Sequence, residues 1–209
     1  VELPESLSSY ALPMDDDIDH VEAMRESLAI LDVADDRISY PIWAAIYHAP
    51  LTPFVRANFV EWIKGKTGTL KTSFVALNLN HFGRDFSWKN VPAKWISTAN
   101  SLEVYCFIAK DAPLLIDDMK PPKGKVGSHE ARQKITQVID CVASGRGRDR
   151  LNGDYGLSNS YGARGVVLST SEIGVEIEGD TARTLIISVY EDDIDKTRLG
   201  AAQEKAKTG

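Results

Sequence analysis

The chain has 209 residues, 43% of them hydrophobic, which suits one substantial core with a small appendage and excludes an array of independent domains. Its 30 acidic residues outnumber its 24 lysines and arginines, for a formal net charge of -6. That balance excludes a surface gripping nucleic acid by overall charge, and leaves room for a local basic loop.

Residues 1–50 read as an N-terminal helical and irregular segment. After an irregular start, Asp15, Asp16, Asp17 and Asp19 open a helix whose Val21, Met24, Leu28 and Leu31 recur at the helical period. Acids in a first turn favour the positive end of the helix dipole, and the cluster reads as a solvated helix start. A second short helix is predicted over 42–47, and Pro50 and Pro53 punctuate the boundary of the main domain, residues 51–195. From Phe54 the pattern alternates. Strands are expected over 54–63, 95–98, 113–116, 165–168 and 184–189, with helices over 71–82, 101–109 and 127–144. This order predicts an α/β fold, a parallel five-stranded sheet sandwiched by helices. Residues 196–209 read as a helical tail, and with Val1 in first place the chain reads as a fragment of a longer protein.

Cys106 and Cys141 fall in different predicted helices and read as buried thiols, which suits a reducing, cytoplasmic setting. His20, His48, His81 and His129 show no metal-ligand spacing, so no zinc site is expected. No apolar run is long enough to span a bilayer, and no membrane partner is expected.

The segment Gly65, Lys66, Thr67, Gly68, Thr69, Leu70, Lys71, Thr72 has the frame of a phosphate-binding loop between a strand and a helix. Such a loop turns its backbone N–H groups around the phosphates, and the helix N-terminus adds its dipole. Lys71 is expected to reach the β- and γ-phosphates and the Thr72 hydroxyl to ligate Mg²⁺. Leu70 departs from the frame, which has glycine there, so the loop must find its geometry without that permissive residue. The bland alternative is a glycine-rich turn before a helix.

Asp117 and Asp118 follow the apolar strand 113–116, at the end of the sheet where open α/β folds bind ligands. Asp117 is expected in the magnesium shell, and Asp118 is expected to orient or deprotonate the attacking water. Between Lys71 and Asp117 there is room for a helix, a strand and a further helix, so an extra strand is expected between the loop strand and the acidic one. Thr170 or Ser169, after the strand 165–168, is placed to hold that water or sense the γ-phosphate; the alternative is an ordinary strand-ending turn. Asn100 is a further candidate, though it and Thr98 read first as helix caps. Arg146, Arg148 and Arg150 lie in a glycine-containing loop that suits an arginine acting on a neighbouring subunit's site, a nucleic-acid backbone contact, or plain solvation. Arg183 is a further candidate γ-phosphate contact, with Asp180 near enough to pair with it instead.

The loop 65–72 with its Leu70, the segment Trp95-Ile-Ser-Thr-Ala-Asn-Ser-Leu-Glu103, the strand 114–118, the loop 144–148 and the strand 164–170 occur in that order. Over residues 49–189 the chain resembles the ATPase domain of phage and mobile-element primase–helicase-type proteins, close to superfamily-three helicases. The resemblance implies an AAA+-like P-loop NTPase core that hydrolyses ATP with Mg²⁺ at subunit interfaces of a homo-oligomeric ring acting on DNA, single-stranded DNA being the partner to test. Lys71, Thr72, Asp117 and Asp118 carry over by motif, and Arg146 and Arg148 as a finger acting in trans. No primase motif is visible. Two other readings stand beside the motor: a nucleotide-binding regulatory or assembly module with little or no turnover, and a small-molecule kinase, for which no acceptor-binding lid is evident.

Overall fold

The computed structural model describes residues 4–12, 19–147 and 161–208. Helix α1 (His20–Ala29) is started by Asp19, whose carboxylate accepts from the Val21 and Glu22 amides at 2.9 and 3.1 Å. Asp15, Asp16 and Asp17 lie outside the described residues. Helix α2 (Asp36–His48) is longer than the expected 42–47 because Asp35 caps it six residues earlier. There follow β1 (Val60–Lys64), α3 (Lys71–Leu79), β2 (Ala93–Lys94), α4 (Ala99–Ile108) and β3 (Pro113–Met119). Then come α5 (Gly124–Ser144), β4 (Val166–Ser171), the single turn α6 (Glu178–Thr181), β5 (Thr184–Ser188) and α7 (Lys196–Thr208).

The five strands form one sheet in the order β2-β3-β4-β1-β5, parallel at every pairing. Being buried on both faces, its central strands read as apolar runs rather than an alternation. Side chains still alternate between the faces. Ile63, Leu115, Leu168 and Ile187 join a core with Ile38, Ile42 and Ile46 of α2, Phe74 and Leu77 of α3, and Leu199 of α7. Val60, Trp62, Leu114, Ile116 and Val167 face the other way, onto Leu102 and Cys106 of α4 and Val138 and Val142 of α5. The result is an α/β fold consistent with the P-loop type. The strand β4 does stand between β1 and β3.

Several boundaries differ from expectation. The first strand, expected over 54–63, starts only at Val60, because Phe54 and Val55 stand exposed with their amides closing a turn on Leu51 O. The strand expected at 95–98 lies at Ala93–Lys94. Trp95 and Ile96 suggest a strand by their apolar character, yet Ile96 is 90% exposed and a turn from Ser97 N to Lys94 O closes behind it. Strands β3 and β4 each continue about three residues past their last aliphatic side chain, because Asp117, Ser169, Thr170 and Ser171 find hydrogen-bond partners that let polar groups stay buried. Helix α5 begins at Gly124 rather than 127.

One buried group opposes this packing. Glu61 shares the face of Ile63, is 3% exposed, and its Oε2 has no hydrogen-bond partner. Burial pushes its carboxyl from an ordinary 4.5 up to about 8. The folded state keeps a proton that the unfolded chain releases, so this site costs stability progressively as pH rises from 4.5 towards 8. Glu61→Gln removes the titration. Its stability advantage over the parent should therefore grow by about 2–4 kcal/mol between pH 5 and pH 8, read from urea unfolding at each pH. A pH-independent gap between the two proteins would refute this account of Glu61.

Candidate functional site

The loop after β1 is drawn tight by its neighbours. Gly65 donates its amide to the Ser171 carbonyl at 2.9 Å, while Val189 donates to Lys64 O at 2.7 Å. A Cβ at Gly65 would stand 2.5 Å from the Val189 carbonyl oxygen, so glycine is required where the chain leaves the sheet. The loop then folds on itself: Thr69 Oγ1 and Lys71 Nζ each donate to Lys66 O at 2.9 Å. Thr67 donates its hydroxyl to the Glu172 carboxylate. Gly68 and Leu70 take positive φ values of 89° and 61°. Leu70 adopts the left-handed conformation directly before α3, at the position where the motif has glycine. Leucine bears a penalty of about 1–2 kcal/mol there, partly offset by packing its side chain against the buried core.

Helix α3 starts at Lys71, so the loop delivers a lysine and a threonine to a helix N-terminus. Lys71 is buried, and burial lowers its pKa below the ordinary lysine value against the opposing pull of Glu172, Asp117 and Asp118. Thr72 and Thr170 both donate to one oxygen, Asp117 Oδ1, at 2.7 and 2.5 Å. Thr170 also accepts from the Asp118 amide at 3.1 Å. A register irregularity between Ile116 and Met119 gives Asp118 a φ of 68° and turns it outward, where its carboxylate meets Lys120 Nζ at 2.9 Å. The structure thus brings Lys71, Thr72, Asp117, Asp118 and Thr170 together.

Other candidates go elsewhere. Ser169 faces the opposite side of β4 and accepts from the Trp95 indole at 2.9 Å. Thr98, not Asn100, caps α4, accepting from Ser101 N at 3.2 Å, and Asn100 faces Gln137. Arg183 is corrected as a γ-phosphate contact of its own chain. It precedes β5 and accepts from the Val60 amide, which puts it at the far end of the strands, about 16 Å from the loop end. There it pairs with Asp140, and Asp180 instead accepts from Thr136 at 2.6 Å. Arg146 follows α5 at the same far end, beside the Arg56 that ties Val142 and Ser144 carbonyls. In its own chain it does not reach Lys71. Arg148 and Arg150 lie outside the described residues. The buried thiols of Cys106 and Cys141 are both free, neighbouring one another between α4 and α5.

Two recesses flank the loop. One of about 320 Å³ opens on the β4 side, lined by Lys71, Thr72, Asp118, Thr170, Glu172 and Trp88. A larger one of about 730 Å³ opens on the β5 side. Glu172, Lys120 and Trp88 are site residues that sequence reasoning did not single out. Glu172 was within reach, since it directly follows β4 and must emerge where that strand ends.

No family model matches the chain, and no curated protein matches it. Among solved structures, one described as "SCCmec type IV Cch - active helicase" aligns with a TM-score of 0.49 and 15% identity over 90% of this chain and 33% of that one. The chain therefore spans about a third of the length of that protein. A likeness this distant decides nothing about chemistry, which must be judged from the residues themselves. Within the described residues no helix is long and apolar enough to cross a membrane.

The left-handed Leu70 makes a direct test of the loop geometry. Leu70→Val puts a β-branched residue at positive φ and should lower stability by about 1–2 kcal/mol. In Leu70→Gly, relieved strain and lost burial oppose each other, leaving it within about 1 kcal/mol of the parent. Equal stability of the valine variant and the parent in urea would show that position 70 is not held at positive φ.

Proposed function

We propose that the chain binds ATP through Gly65–Thr72 and hydrolyses it, as the motor domain of a DNA-replication or mobile-element helicase-type protein. The observation that carries this is the convergence of the Thr72 and Thr170 hydroxyls on Asp117 Oδ1, one helical residue from Lys71 and one strand from the loop. A lysine at a helix N-terminus, with a buried carboxylate hydrogen-bonded to the next residue, suits the binding of phosphates and their counter-ion.

The donor set fits magnesium. Thr72 Oγ1 and Asp117 Oδ1, 2.7 Å apart, are the hard oxygens that ion prefers, and Asp117 supplies negative charge. Bound there, magnesium would neutralise charge on the phosphate oxygens. The chain's own groups do the rest. Loop amides cradle the phosphates, and Lys71 exchanges its bond to Lys66 O for the β- and γ-phosphate oxygens. Thr170 fixes Asp117 and, through the Asp118 amide, aims the Asp118 carboxylate. That carboxylate orients the attacking water and takes its proton as the new O–P bond forms and the bond from the γ-phosphorus to the ADP oxygen breaks. Arg146 or Arg148 of a neighbouring subunit would complete the site in a homo-oligomeric ring, with single-stranded DNA as the partner that stimulates turnover.

One observation favours a second reading, a nucleotide-binding regulatory or assembly module. Asp118 is engaged by Lys120 and is one methylene shorter than glutamate, which limits its reach to a water. Phosphate release with and without single-stranded DNA separates the two. The motor reading expects DNA-stimulated turnover that falls at least about 100-fold in Lys71→Ala, and an Asp118→Asn variant that keeps ATP binding but loses about 100-fold or more in rate. ATP binding without turnover in the parent, at concentrations that allow oligomers and with DNA present, would favour the module instead.

A further inference from the structure

We infer that the recess on the β5 side of the loop holds the nucleoside half of the nucleotide, with the Tyr190 ring as the surface on which the base stacks. The inference rests on the nucleotide reading above and adds to it a second subsite. Its starting point is the polarity of the loop. Thr72, Asp117, Asp118 and Thr170 all lie on the β4 and β3 side, which is where the terminal phosphate and its chemistry belong. A ligand whose phosphates are wrapped by residues 65–72 must carry its remaining bulk out on the opposite side, towards β5.

A recess of about 730 Å³ adjoins the loop there, within the size range of small-ligand sites. Its walls are Gly65–Leu70 on one side and the segment that continues β5 on the other, including Val189, Tyr190, Asp192 and Ile194. Val189 and Ile194 belong to the buried core, so the floor is apolar and fixed. Tyr190 is 65% exposed, an aromatic ring left standing at the rim. It is nonetheless held in place. The Arg37 guanidinium sits over one face of the ring, 5.4 Å from its centroid, anchored to the Ser188 carbonyl and the Asp193 carboxylate. The Tyr190 amide donates to Asp193 Oδ2 at 2.6 Å, closing a turn in which Asp192 takes a φ of 68°. A non-glycine residue in that conformation is maintained against its preference by the structure around it. The turn thus places the ring in the wall of the recess, with Asp192 and Glu191 beside it, whose carboxylates can accept from ribose hydroxyls or a base amino group.

The ligand class follows: a flat aromatic base on a ribose, joined to the phosphates that the loop holds. Inorganic triphosphate has the phosphates without the nucleoside, so it divides the site in two. With magnesium present, calorimetric titration of the full chain should show ATP binding more tightly than inorganic triphosphate. Tyr190→Ala should weaken ATP about tenfold and change triphosphate less than about twofold. Tyr190→Phe should bind ATP as the parent does, since stacking needs the ring and not the hydroxyl, and this variant also guards against a folding defect. Unchanged ATP affinity in Tyr190→Ala, or an equal loss for both ligands, would overturn the subsite while leaving the nucleotide reading intact. A parent that binds neither ligand would overturn both.

Discussion

A single carboxylate oxygen organises the end of the sheet at which the loop 65–72 lies. Asp117 Oδ1 accepts hydroxyl hydrogens from Thr72 on α3 and Thr170 on β4, so three elements are joined at one point. A buried carboxylate is costly unless its lone pairs are occupied, and here one donor comes from α3, which packs on β3, and the other from β4, its neighbour in the sheet. The arrangement requires β4 to lie between β1 and β3. Only then can a residue of β4 face the same side as Asp117 while the loop after β1 starts a helix within reach of both. Thr170 extends the junction by accepting from the Asp118 amide, which is how a bulged strand end keeps one acid inward and turns the next one out.

Much of this was legible in the residues. The loop frame, the acidic strand and the alternation of strands and helices together foretell a parallel sheet with an extra strand between loop and acids, and the sheet has that order. The period of two also contained the answer to the choice between Ser169 and Thr170. Leu168 and Ile63 share the face of α3, so Thr170, two residues on, had to share it as well, and Ser169 had to face Trp95. What sequence could not supply was the partnership of buried polar groups. Strands β3 and β4 seemed to end at their first polar residues because polarity usually marks an exit, and no local pattern reveals that Asp117 and Thr170 satisfy one another across 53 positions. The misplaced edge strand has a similar cause: Ile96 is apolar but stands in solvent.

The loop itself shows how geometry survives a missing glycine. Leu70 accepts a left-handed backbone and returns part of its cost through side-chain packing that glycine would lack. Around it, Lys66 O gathers Thr69 and Lys71, and Glu172 holds Thr67. The loop is thus shaped by hydrogen bonds from its own side chains as well as by its glycines. Its lysine is held by a backbone carbonyl that a stronger acceptor can replace.

The separation of the two ends of the sheet has a consequence for assembly. Arg146 and Arg183 stand at the ends where the strands begin, whereas Lys71 and Asp117 stand where they finish. If arginine and phosphate loop act at one centre, they must come from different copies meeting head to tail. Contacts of that kind use two unlike patches on each copy, and they never saturate in a pair. They close into a ring or run on as a filament. Every internal copy would then take part in two centres at once, giving its loop to one and its arginine to the other, so a defect in either patch would silence a neighbour as well as its owner.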